Sequence, residues 1–367
     1  MHIEKQLDTI AACRFCFMCR HIDTTASVSY CEADIPRGRA LILDRVRMNG
    51  VGEFAKYPDF VTTMYDCALS AACRYHCVSH YDEAGLVLAA RRDIVEAGLA
   101  PADVAELARK LEAATLPGPA SSDCPAPAAV KNADIGYIID GYTAARQPEI
   151  AQAFLRIAKA AGLRVQVVRP AGCIGKALLT LGYQEKATQA AQDFAATLRE
   201  SGVTTWVASS PAVFDALVRD FPELGVDLGG CTIQHTATFL LDLVRQGRLA
   251  PADSQQTAYY LDSDFLRNYH GIAEQPRALL AACGFELRPF GTNPEESYAL
   301  GEGAVVADLL RPRLVAQLRH HLVGLMDRPD DLLVTASPYT KYVLAALGKP
   351  AIRAISLEEA LAANLPR

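Results

Sequence analysis

The rhythm of apolar and polar positions changes about a third of the way along the chain. Over residues 39–48, and again over 94–111, apolar residues recur at helical spacing, with Pro101 where a helix would start. The stretch 115–132 interrupts this: Pro117, Pro119, Pro125 and Pro127 lie among Ala and Ser, the composition of a linker or of a long surface loop. Beyond it, short β-type runs at 137–139, 165–168 and 206–208 alternate with helical stretches at 149–161 and 186–200. That alternation predicts α/β architecture with largely parallel strands.

An internal repeat sharpens the prediction. The segment QPEIAQAFLRIAKAAGLRVQVV parallels EQPRALLAACGFELRPF further on, and WVASSPAVF parallels LVTASPYTKY. In each copy a strand runs into Ser-Pro at the head of a helix, with Pro at a favoured early helix position. The expected chain is therefore an α+β multidomain protein. A helical part covers 1–112, a Pro/Ala-rich linker 113–133, and two related α/β lobes cover 134–249 and 250–367.

Composition narrows the classes. Hydrophobic residues make up 51% and charged residues 21%, and the net charge is −6 with no basic block, which argues against a nucleic-acid partner. The opening MHIEKQLDTIAACRFC has no apolar signal-like run, and no apolar stretch is long enough for a transmembrane segment. The expected place is the cytoplasm, compatible with a peripheral position at the inner membrane.

The candidate chemistry lies in the cysteines. Of eleven, seven fall within the first 77 residues. An odd count without a secretion signal favours metal or redox use over a disulfide framework. The first motif is Cys13-Arg-Phe-Cys16-Phe-Met-Cys19-Arg-His-Ile-Asp23, and the second is Cys67-Ala-Leu-Ser70-Ala-Ala-Cys73-Arg-Tyr-His-Cys77. Each follows the C-x2-C-x2-C-x3-C spacing with one substitution. In two-cluster ferredoxin folds the fourth Cys of each motif ligates the other cluster. The crossing rule gives Cys13, Cys16, Cys19 and Cys77 to one 4Fe–4S cluster. It leaves Cys67, Ser70, Cys73 and Asp23 as a weak or lost second site, because oxygen donors suit such clusters poorly. Cys31 either completes that second site or is a free thiol. Four thiolates also suit tetrahedral Zn²⁺, but three cysteines at three-residue steps plus a remote fourth is the cubane style.

The runs CRFCFMCRHI, PRGRALIL and CRYHCV resemble the N-terminal helical ferredoxin module of heterodisulfide-reductase-type (Fe–S)-binding proteins, the group that includes iron–sulfur subunits of glycolate oxidase and lactate-utilisation systems. The resemblance extends over nearly the whole chain, since the two lobes look like that family's paired cysteine-rich (CCG) domains. It implies an N-terminal α-helical ferredoxin-like module, an electron-transfer role, and a partner FAD-dependent dehydrogenase of a hydroxy acid or similar small substrate. The FAD would be on the partner, with a further electron acceptor downstream. The lobes depart from the pattern: family cysteines fall on Tyr142, Ser210 and Ser337, the Cys-Cys-Gly triplets on Cys173-Ile174-Gly175 and Ala299-Leu300-Gly301, and the D-P-C segment on Asp262-Ser263-Asp264. Lobe chemistry should therefore not carry over. The reading is a non-catalytic electron-transfer subunit, or alternatively a non-redox scaffold that kept docking surfaces after losing its cluster chemistry. His235 is expected in the core rather than at a metal, and Arg14, Arg20 and Arg74 flank the thiols as tuning or docking charges.

Overall fold

The computed structural model describes residues 1–289, 298–328, 330–349 and 352–366. The first part is helical, with helices Pro36–Asn49, Pro58–Asp66, Glu83–Glu96 and Ala102–Glu112 around a core of Leu43, Phe54, Met64, Leu86 and Val104. The helical pattern over 94–111 is two helices, not one. Ile94 closes Glu83–Glu96, and Gly98 (φ +71°) ends it as Leu99 N–H reaches back to the Ile94 carbonyl at 2.9 Å. Pro101 then caps Ala102–Glu112.

The two lobes each carry a four-stranded parallel sheet. The first holds β1 (Ile135–Ile138), β2 (Val165–Val168), β3 (Thr205–Ala208) and β4 (Thr232–His235) in the order β2-β1-β3-β4. The second holds β5 (Thr257–Leu261), β6 (Glu286–Arg288), β7 (Leu332–Thr335) and β8 (Ala354–Ser356) in the order β6-β5-β7-β8. The shared order and parallel orientation fit the two related α/β lobes expected from the internal repeat. Tyr137 pairs in register with Val167 on one side and Val207 on the other, and Tyr260 faces Val334, so the central strands are apolar on both faces. Ser210 and Ser337 cap the helices that follow β3 and β7, accepting the Val213 and Thr340 N–H groups at 3.5 and 3.2 Å.

The lobes pack reciprocally. Helix Pro148–Ala160 of the first lies on Leu357–Ala363 of the second, and Thr236–Arg245 lies on Glu274–Ala282, so each lobe's first crossover helix meets the other's last helix. Residues 113–133 are held to the first lobe, where Ala128 bridges Val167 and Cys124 is buried in its core.

The helical part is clamped by both lobes. Arg91, buried in Glu83–Glu96, donates to the carbonyls of Met64, Cys67 and Thr180 at 2.8 Å each, tying the second cysteine motif to the first lobe. From the second lobe, Asn268 Nδ2 donates to the Ser70 carbonyl at 2.8 Å and Tyr269 Oη to the Leu69 carbonyl at 2.6 Å. Gly303 packs so closely on this loop that a Cβ there would lie 2.2 Å from the Leu69 carbonyl oxygen.

Candidate metal centre

The first motif leaves helix Leu7–Ala12 at Cys13 and continues as an irregular loop with Phe15 in the left-handed region (φ +53°). This turn directs the Phe15 N–H at the Cys13 thiol. Cys13 also stands close enough to Cys77 and Cys16 for negative charge on either to raise its pKa, although burial is the larger cause. Cys77 ends the short helix Ala72–His76, its N–H on the Cys73 carbonyl at 3.1 Å. Cys77, from the second motif, and Cys16 thus both lie within electrostatic reach of Cys13, with Cys16 exposed and the other two half-buried.

Cys19 lies on the inner side. Its thiol, pushed up to about 12 mainly by burial, receives the Arg37 N–H and feels Glu83 and Asp23. It packs against Cys73, Ile22 and Ala72. Among the described residues, no three thiols of the first set lie with their sulfurs all within 4.8 Å of one another. All four donors are soft, and N–H groups point at two of the sulfurs, as a sulfide-rich cofactor requires.

The second set is deeper. Cys67 and Cys73 are buried, and burial pushes the Cys67 thiol up to about 12 and the Cys73 thiol well above its usual value. Asp23 Oδ1 accepts the Ala26 N–H at 2.7 Å, while Oδ2 lies 3.5 Å from Cys73 Sγ and 3.3 Å from Arg39 Nη1. Ser70 Oγ accepts from Thr24 Oγ1 at 3.1 Å and from the Ala72 N–H at 3.4 Å. Both oxygen donors are therefore engaged in holding local backbone, and this set fits a second cubane poorly. Cys31 is exposed at the head of a 3-10 turn, its N–H on Ser29 Oγ at 3.3 Å.

Two residues here escaped the sequence reading. Arg39 is fully buried, bonded through Nη1 to Glu83 at 2.6 Å and Asp23 at 3.3 Å, and through Nε to the Thr63 carbonyl at 3.4 Å; its Nη2 has no partner. Asp23, Cys73 and Glu83 place ligand-type atoms within 4.8 Å of one another. The signal was present: Arg39 shares the inward helix face with Leu43 and Val46, where a lone charge demands a buried partner.

Around the thiols, Phe15, Phe17, Met18 and Val78 are 48, 63, 50 and 79% exposed, an apolar rim beside exposed Arg14 and Arg20. Arg37 stacks over the Phe17 ring at 3.8 Å and donates to the Phe15 carbonyl at 3.2 Å, bracing the loop. Arg74 pairs loosely with Asp82 at 3.8 Å. His235 is a core residue: buried, it accepts the Ala237 N–H at 3.0 Å and meets the Ser209 carbonyl at 3.0 Å, and burial lowers its pKa to about 3.

Fold and site together define a helical domain with a thiol-rich face, held by two parallel α/β lobes. Its relatives among characterised proteins are distant. The chain is 25% identical over 312 residues to a protein of Chromohalobacter salexigens named probable membrane-anchored ferredoxin, a match covering 79% of this chain and 46% of that one. It is 25% identical over 215 residues to the EtfAB:quinone oxidoreductase of Syntrophomonas wolfei, covering 54% of this chain and 29% of that one. The chain thus spans less than half the length of these relatives. No family model and no solved structure matches it. Similarity to proteins so named is similarity to electron-transfer proteins. No helix among the described residues is long and apolar enough to cross a membrane.

Proposed function

We propose that this chain is an iron–sulfur electron-transfer subunit with one 4Fe–4S cluster held by Cys13, Cys16, Cys19 and Cys77. The carrying observation is that Cys13 feels the charge of both Cys16 and Cys77, the latter from a motif more than fifty residues away, with Cys16 exposed and the other two half-buried. The names of the distant relatives support the same class. When bound, such a cluster supplies reversible one-electron transfer. The protein's own part is to hold it near the surface, screen it with Phe15 and Phe17, and set its potential with N–H donors and neighbouring charge. The second site is best read as lost. Electrons would come from an FAD-dependent dehydrogenase of a hydroxy acid or similar small substrate, and leave to a separate acceptor.

The apolar rim of Phe15, Phe17, Met18 and Val78, beside Arg14 and Arg20, is the docking face this reading needs, since Cys16 is exposed there. Anaerobic purification followed by iron, acid-labile sulfide and EPR analysis of the reduced protein tests the proposal. The expected result is about four irons and four sulfides per chain and one paramagnetic species, all lost in Cys16→Ser. A colourless protein holding zinc and no sulfide would overturn it.

A further inference from the structure

Asp23 follows Cys19 at the place where the C-x2-C-x2-C-x3-C spacing calls for a fourth cysteine. Its N–H donates to the Cys19 carbonyl at 3.0 Å, so a single turn of backbone links the two residues. The carboxylate is 4% exposed and held at both oxygens: Oδ1 accepts the Ala26 N–H at 2.7 Å, and Oδ2 lies 3.5 Å from Cys73 Sγ. Cys73 in turn packs against Cys19. The Asp23 charge is thus fixed next to a thiol assigned to the cluster, and the Cys19 sulfur feels it.

That charge is only partly neutralised. One guanidinium serves two carboxylates, since Arg39 Nη1 lies 2.6 Å from Glu83 and 3.3 Å from Asp23. Glu83 has the closer contact, which leaves Asp23 the less compensated of the two. Arg39, Asp23 and Glu83 are all buried, and salt screens buried charges far less than exposed ones. Arg14 and Arg20, of opposite sign, flank the same thiols but are exposed, so water and salt weaken their pull.

We infer that Asp23 is a potential-setting residue, a fixed negative charge beside Cys19 that lowers the reduction potential of the cluster. The inference rests on the proposed reading, in which Cys19 is a cluster ligand. One electron is accepted from the donor and later passed on, with no bond made or broken at Asp23. Each reduction adds one negative charge to a thiolate-bound group, and a nearby anion makes that addition costlier. The position that would have sent a thiolate to a second cluster thus carries a charge that tunes the first. At an effective dielectric constant of about 20, a unit charge about 10 Å from the added electron changes the reduced-to-oxidised ratio roughly tenfold. For a one-electron couple, tenfold corresponds to ~59 mV.

An anaerobic redox titration of the purified full-length protein, poised with dithionite and mediators and followed by EPR, reads the midpoint. Asp23→Asn keeps an oxygen for the Ala26 N–H but drops the charge. At the parent's midpoint its reduced-to-oxidised ratio should rise about tenfold. Asp23→Glu keeps the charge and should stay within about twofold of the parent. Arg39→Met leaves Asp23 without its cation and should move the ratio about tenfold the other way, so either variant alone gives the sign.

A merely structural role for Asp23 would loosen the protein without these opposed shifts. Iron and acid-labile sulfide are measured in each sample. A parent-like midpoint in Asp23→Asn with iron and sulfide unchanged, or shifts of the same sign in Asp23→Asn and Arg39→Met, would overturn the inference and leave the electron-transfer reading intact. An unaltered protein without iron or sulfide would overturn both.

Discussion

Replacing Arg39 with Met is the sharpest test of how the helical domain is held. The guanidinium is completely buried and bonds Glu83 at 2.6 Å, Asp23 at 3.3 Å and the Thr63 carbonyl at 3.4 Å. Met matches its volume but leaves two buried carboxylates facing each other without a counter-charge. Removing one partner of a buried ion pair costs about 3–5 kcal/mol. For an unfolding slope of about 2–3 kcal/mol/M in urea, the midpoint of the helical domain should fall by roughly 1–2.5 M. Urea titration followed by far-UV circular dichroism gives the number.

The same reasoning makes a second, stricter demand. Because the cost comes from the charges left behind, the triple variant Arg39→Met, Asp23→Asn, Glu83→Gln should recover most of it. Recovery will be incomplete, since Asp23 also accepts the Ala26 N–H at 2.7 Å. A triple variant no more stable than Arg39→Met, or a single variant within about 0.5 kcal/mol of the parent, would refute the claim that this buried charge network organises the domain.

Restoring both missing thiols with Asp23→Cys and Ser70→Cys should raise iron and sulfide from about four to about eight per chain, read by chemical assay and by spin–spin broadening in EPR. Gly303→Ala should loosen the 67–71 loop, because its Cβ would meet the Leu69 carbonyl oxygen at 2.2 Å; hydrogen exchange at Leu69 and Ser70 should speed up while the sheets stay protected. His235, with its pKa lowered by burial to about 3 against an ordinary 6.5, favours the folded state above pH 6.5, and that contribution is lost as pH falls from 6.5 towards 3. His235→Asn keeps a capping side chain, so its melting temperature should fall less steeply than the parent's over that interval.

The sequence exposed regular things and hid individual partners. Two related lobes with parallel strands were legible from the repeat, because Ser210-Pro and Ser337-Pro mark the same strand-to-helix turn in both copies, whereas the strand order was not. The thiol motifs were legible because spacing along a loop constrains which sulfurs can meet. By contrast Glu83 was invisible as the partner of Arg39: the two lie 44 residues apart, and either could have been a solvated charge on its helix. The break at Gly98 was blurred because helical periodicity on both sides of it stays in phase. Glu302 is the extreme case, since only the meeting of two lobes turns a Gly-flanked acid into a cavity wall.

That meeting also bears on what the lobes are for. The loop carrying Cys67, Ser70 and Cys73 is fastened by Asn268 and Tyr269 from one lobe and, through Arg91, by the Thr180 carbonyl of the other. Its own intra-loop contacts are few, and Leu69 and Ala71 have positive φ (+51° and +56°), a strained arrangement that persists only where surroundings fix it. Cys77, a proposed cluster ligand, follows this loop by a single short helix, Ala72–His76. Any slackening of the clamp therefore moves one thiol relative to the other three. On the proposed reading, the lobes' part is to hold the second motif where Cys77 lies near enough to Cys13 for its charge to be felt there.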